Sequence, residues 1–204
     1  MCITSGEYAE ADAIVDRLVK DYPGHSGLQV AVTEIAEQYY TEAFRMEEKG
    51  DASGAKGNLQ KAAGLWQMAI DNLPTDAKAM PQACCWAGDC YHTLREYEKS
   101  RGCFQKVVDG YPEYRYAWHA LYMVGRNYQD MGNSGLISKS EADTKTKAAY
   151  QQLLEKYPNC EVADEVRQWL SGRDSKAGDV QQRLSGRDSK AGKVQQWLSG
   201  HDSK

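Results

Sequence analysis

Residues 88–112 read GDCYHTLREYEKSRGCFQKVVDGYP, and their spacing decides the fold. Gly88, Tyr91, Ser100, Phe104, Val107 and Pro112 stand at offsets 0, 3, 12, 16, 19 and 24. Small and apolar residues recurring at three and four on either side of Leu94-Arg95-Glu96 describe two helices joined by a short turn. Pro112 closes the second helix, because proline disfavours helical geometry in the residue before it.

The same set recurs along the chain. Gly6, Tyr8, Ala11, Val15, Leu18 and Pro23 repeat its second half alone, a second helix without its first (6–23). This reads either as a fragment of a longer array, which is favoured, or as a start in which that helix serves as a cap. From Gly27, an amphipathic helix carries Leu28, Val32, Ile35, Ala36, Tyr39, Ala43 and Met46 to a stop at Lys49-Gly50-Asp51. A partner helix holds Leu59, Ala62, Ala63, Trp66, Ala69, Ile70 and Leu73 before Pro74. Ala36 to Ala62 spans 26 residues where Gly88 to Ser100 spans 12. The surplus of 14 is about two turns on each of two helices, so both arms of this hairpin are lengthened. Gly54, Gly57 and Gly64 weaken the second arm and predict fraying of its first turns.

A third hairpin uses Ala117, Leu121, Val124, Gly125 and Tyr128, then Ala148, Tyr150, Leu153, Leu154, Tyr157 and Pro158. Its nine extra residues between Gly125 and Tyr150 are divided between a break at 131–135 and a second helix capped by Ser138 or Ser140 with Glu141. A final helix (161–171) uses Val162, Val166, Trp169 and Leu170. Three near-copies of a 14-residue unit then fill 163–176, 177–190 and 191–204. Their apolar sets fit helices too short to be stable alone, which makes 173–204 a weakly ordered tail or one that docks Trp169 and Trp197 on the last hairpin.

Composition narrows the function. The net charge of −4 and the lack of a Lys/Arg-rich block argue against nucleic-acid binding. No run is long enough for a membrane span, and no basic-then-apolar leader opens the chain, so the sequence names no compartment. Two Phe stand beside thirteen Tyr and five Trp, aromatic side chains with polar tips that suit half-buried faces. Six Cys without a CxxC pair read as small, reduced core residues.

The offsets of 88–112 resemble those of the tetratricopeptide repeat, a helix-turn-helix unit of about 34 residues. The resemblance covers residues 6–172 and implies an all-α fold, a right-handed superhelix of antiparallel hairpins: the half repeat at 6–23, repeats near 28–74, 77–112 and 115–158, and the final helix. Second helices ending KDYP, GYP and KYP further resemble the bacterial envelope subclass, of the outer-membrane assembly lipoprotein and periplasmic cell-division coordinator kind. The chain departs from that pattern at Leu73, in its long first hairpin and in its duplicated tail.

In such repeats the first helix lines the concave side, and positions three before, one after and four after the small residue point into it. This selects Thr33, Cys85 and Tyr122; Glu37, Asp89 and Arg126; and Tyr40, His92 and Gln129. The middle row runs from acidic to basic, as suits a peptide or protein segment held by polar and stacking contacts. The Lys/Asn rows that clamp a C-terminal carboxylate in chaperone-type repeats are absent. Cys84, Cys85, Cys90, His92 and Cys103 invite zinc, but the register turns Cys84 and Cys103 to the core and Cys85 and His92 to the groove, so no metal site is expected. Scattered carboxylates and the absence of nucleophile-elbow, phosphate-loop or zinc-protease motifs predict no catalysis and no cofactor. The expected function is a non-catalytic scaffold with a protein or peptide partner, the uncapped ends offering self-association. The alternative is an accessory or regulatory domain of a larger enzyme or signalling protein.

Overall fold

The computed structural model describes residues 8–22, 25, 27–72 and 79–172, with side chains from residue 13 onward. Gly6, Pro23, Pro74, Ala77 and the tail at 173–204, with Trp197, lie outside the described residues. All described elements are helices: α1 (Tyr8–Asp21), α2 (Leu28–Glu48), α3 (Ala52–Asn72), α4 (Met80–Thr93), α5 (Tyr97–Gly110), α6 (Ala117–Asn133), α7 (Lys139–Lys156) and α8 (Ala163–Leu170). They belong to one compact unit, Met1–Leu170, and a second unit comprises Ser171–Lys204. The main packing joins each helix to the next in the chain, the arrangement of an α-solenoid.

Three hairpins share one turn. The N–H of Asp51 donates to Met46 O, that of Glu96 to Tyr91 O and that of Leu136 to Met131 O, each at 2.8–2.9 Å. Between them Gly50, Arg95 and Gly135 take the left-handed conformation, with φ of 81°, 62° and 77°. This is the Schellman closure that satisfies the last carbonyls of a helix. Arg95 adopts it without glycine's freedom, at a cost of about 1 kcal/mol.

The shared turn locates the insertions. Ala36 precedes its acceptor Met46 by 10 residues, Gly88 precedes Tyr91 by 3 and Gly125 precedes Met131 by 6. The first hairpin therefore gains seven residues on its first arm and seven on its second, about two turns of each helix. α3 is continuous from Ala52 rather than frayed, because Asp51 Oδ1 accepts from Gly54 N at 2.8 Å and caps its first turn. In the third hairpin the predicted break at 131–135 begins too early, since α6 runs through Gly132 to Asn133. Gly132 is a packing glycine: a Cβ there would stand 2.5 Å from Ala142 Cβ on α7. Ser138 Oγ then caps α7, accepting from Glu141 N at 3.2 Å.

The core follows from pairing small with aromatic residues. A Cβ on Gly88 would meet Phe104 Cε2 at 2.7 Å, and one on Gly125 would meet Tyr150 Cδ1 at 2.7 Å. Phe104 and Tyr150 are buried in consequence, as is Trp66 in the long hairpin. Val15 of α1 joins Leu28 and Val32 of α2 and Ala69 of α3 in a further cluster. Tyr157 OH donates to Pro112 O at 2.8 Å, so the tyrosine of one Tyr-Pro end holds the proline carbonyl of the preceding one.

Candidate functional site

The first helices of successive hairpins, α2, α4, α6 and α8, touch one another directly. Tyr40 stacks on Trp86 with ring centres 6.4 Å apart, His92 meets Asn127, and Tyr122 OH donates to Glu165 Oε1 at 2.7 Å. Side chains of successive first helices thus meet across the hairpins at these three places.

The residues differ in depth. Thr33 is half-buried and donates to Val30 O at 2.9 Å, within its own helix. Glu37 is half-buried, and burial, then the neighbouring Glu34 carboxylate, push its acid up to about 7. Asp89 is likewise half-buried, and burial pushes it up to about 7. Tyr40 and Cys85 depart from the expectation of open groove positions: they are 4% and 3% exposed. Tyr40 is closed in by Phe44, Trp66 and Trp86, at ring separations of 4.7, 5.6 and 6.4 Å, an aromatic cluster joining α2, α3 and α4.

Further along the face the polar groups engage one another. Asn127 is fully buried and spends its amide N–H groups on Ser100 Oγ at 2.9 Å and Met123 O at 2.8 Å. Its remaining oxygen must accept, so His92 Nδ1, at 3.1 Å, is the donor. His92 Nε2 then faces Asp130 Oδ2 at 3.6 Å, and Tyr97 stands edge-on to the ring at 5.5 Å. Arg126 Nη1 donates to Tyr122 OH at 3.4 Å, and Tyr150 OH donates to Gln129 Oε1 at the same distance. Trp169 of α8 meets Tyr150 edge-on at 5.2 Å, so this tryptophan does dock on the last hairpin.

Sequence spacing missed Asn127, Asp130, Tyr97 and Glu165. Asp130 carried a signal, four residues beyond Arg126 on the same helical face. Asn127 carried none, because a buried amide between repeats looks like any exposed one until its partners are placed.

The cysteines are packing groups. Cys84, Cys85, Cys90 and Cys103 are all buried, so Cys85 does not open onto the groove. Burial pushes the Cys84 thiol up to about 11 and Cys103 up to about 12, and it raises Cys85 and Cys90 as well, so these thiols stay protonated and unreactive. Among the described residues no three His, Cys, Asp or Glu side chains converge as metal ligands. None of the described helices is long and apolar enough to cross a membrane.

This architecture is that of helical-repeat proteins built from hairpins of the tetratricopeptide kind. Residues 119–159, from within α6 to just past α7, match the family described as tetratricopeptide repeat. A crystal structure of MamA is similar at 17% identity, over 84% of this chain and 92% of that one, with a TM-score of 0.35.

Proposed function

We propose that the protein is a non-catalytic scaffold that holds a protein or peptide segment along the face built by α2, α4 and α6. What supports this reading is the contact between successive first helices at Tyr40–Trp86, His92–Asn127 and Tyr122–Glu165; the proposed surface takes in Thr33, Glu37, Asp89, His92, Tyr122, Arg126 and Gln129. Tyr40 and Cys85 form its floor. The Tyr-Pro ends, tied by Tyr157 OH on Pro112 O, support placing the chain with the bacterial envelope type of repeat.

The test selects ligands for the full chain from a displayed library of random peptides, then maps each by amide exchange. Protection should fall on α2, α4 and α6. Ligands that protect only α3, α5 and α7 would reject the assignment of this face.

A further inference from the structure

Where α4 meets α6, the hydrogen atoms around His92 can be assigned one by one. Asn127 Nδ2 donates to Met123 O at 2.8 Å, and a backbone carbonyl can only accept, so the amide cannot be turned over. The oxygen Asn127 Oδ1 therefore faces the imidazole, and Nδ1 at 3.1 Å must carry a proton. A neutral imidazole carries one ring proton, which leaves Nε2 as a bare lone pair. That lone pair faces Asp130 Oδ2 at 3.6 Å. Acceptor thus stands against acceptor, at a separation too long for a hydrogen bond.

Charged and titratable groups surround the ring from three elements and a turn. Tyr97 of α5 stands edge-on to it and lies in the field of Asp130 and Arg126 of α6 and of Arg95 in the α4–α5 turn. Asp89 lies three residues back on α4. The two arginines oppose a second positive charge here and the carboxylates favour it, and Asp130 is the carboxylate set against Nε2. What the contact lacks is one proton.

We propose that His92 and Asp130 form a proton-operated latch between the second and third hairpins. A proton on Nε2 turns the mismatched contact into a charge-assisted hydrogen bond from α4 to α6, which should draw the two atoms to about 2.8 Å. The fold offers that proton a partner that the unfolded chain lacks, so the latch is closed at the acid end of the range in which imidazoles titrate and released as pH rises through it. Through Asn127 and Ser100 the same contact reaches α5. The inference is independent of the groove reading.

The experiment uses the full chain labelled with 15N, and correlation spectra of the ring nitrogens at pH 8 and pH 5.5. His92, assigned by the signals that His92→Gln removes, should carry its proton on Nδ1 at pH 8 and on both nitrogens at pH 5.5. Asp89 also takes up a proton in this range, so amide exchange is compared in Asp89→Asn. There the α4 and α6 amides, corrected for intrinsic exchange, should exchange about threefold more slowly at pH 5.5 than at pH 8, as suits a partly exposed pair. Adding Asp130→Asn should remove that difference and slow exchange at pH 8, because the new amide donates to the bare Nε2 at either pH. His92→Gln in the same background, which keeps a donor for Asn127 without a titrating ring, should also remove it. Thermal melting confirms that each variant is folded.

A proton on Nε2 rather than Nδ1 at pH 8 overturns the latch. So does the same slowing at pH 5.5 whether or not Asp130 or His92 is replaced.

Discussion

Gly88 and Gly102 are both helical glycines with opposite meanings. A methyl at Gly88 enters the Phe104 ring, whereas nothing lies within 4 Å of a Cβ at Gly102. Gly88→Ala should lower stability by about 1–3 kcal/mol through overpacking, despite alanine's better helix propensity. Gly102→Ala should raise it by about 0.5–1 kcal/mol. Urea unfolding midpoints compare the two. Asp89 makes a pH prediction. Its acid titrates at an ordinary 3.8 in the unfolded chain and at about 7 in the fold. Between those values the folded chain keeps a proton that the unfolded chain has lost, so stability declines as pH rises from about 4 to about 7 and is level above. Glu37 acts in the same direction. Asp89→Asn should flatten this decline and gain about 1–3 kcal/mol at pH 8, allowing for partial solvent access, with little change near pH 4. Denaturant titrations across pH measure it, and an unchanged slope would place Asp89 in water.

Pairs of helices are held together by a few buried polar groups as well as by rings. Asn127 of α6 binds α5 through Ser100 and α4 through His92, so Asn127→Ala removes three hydrogen bonds and leaves Ser100 and the imidazole with unmet partners. It should cost about 2–4 kcal/mol in chemical denaturation, far more than an exposed Asn. Much of the helical framework was legible in the sequence because it rests on steric pairs: a glycine facing an aromatic ring leaves a fixed offset. Gly132 shows the limit. A glycine that ends a helix and one that admits a neighbouring helix are the same letter, and the approach of Ala142 distinguishes them. Tyr40 and Cys85 show another, since helical spacing gives the direction of a side chain and not its depth. Trp86 closes over Tyr40 from α4, two helices further along the chain, and nothing local to α2 announces it.

Because the principal contacts join neighbours in the chain, the unit Met1–Leu170 should unfold by segments of differing stability. Amide exchange of Asn127→Ala should quicken across α4–α7 while α2 and α3 keep most of their protection. Uniform loss of protection would mean a single cooperative block. The Trp66–Trp86 pair offers an optical view of the same boundary. Their rings lie 5.1 Å apart and nearly perpendicular, one on α3 and the other on α4. Two indoles so close couple their electronic transitions, giving the fold a near-ultraviolet circular dichroism band that exists only while the long hairpin rests on its neighbour. The protein thus carries its own chromophore for the junction between its first two full hairpins, readable without a label.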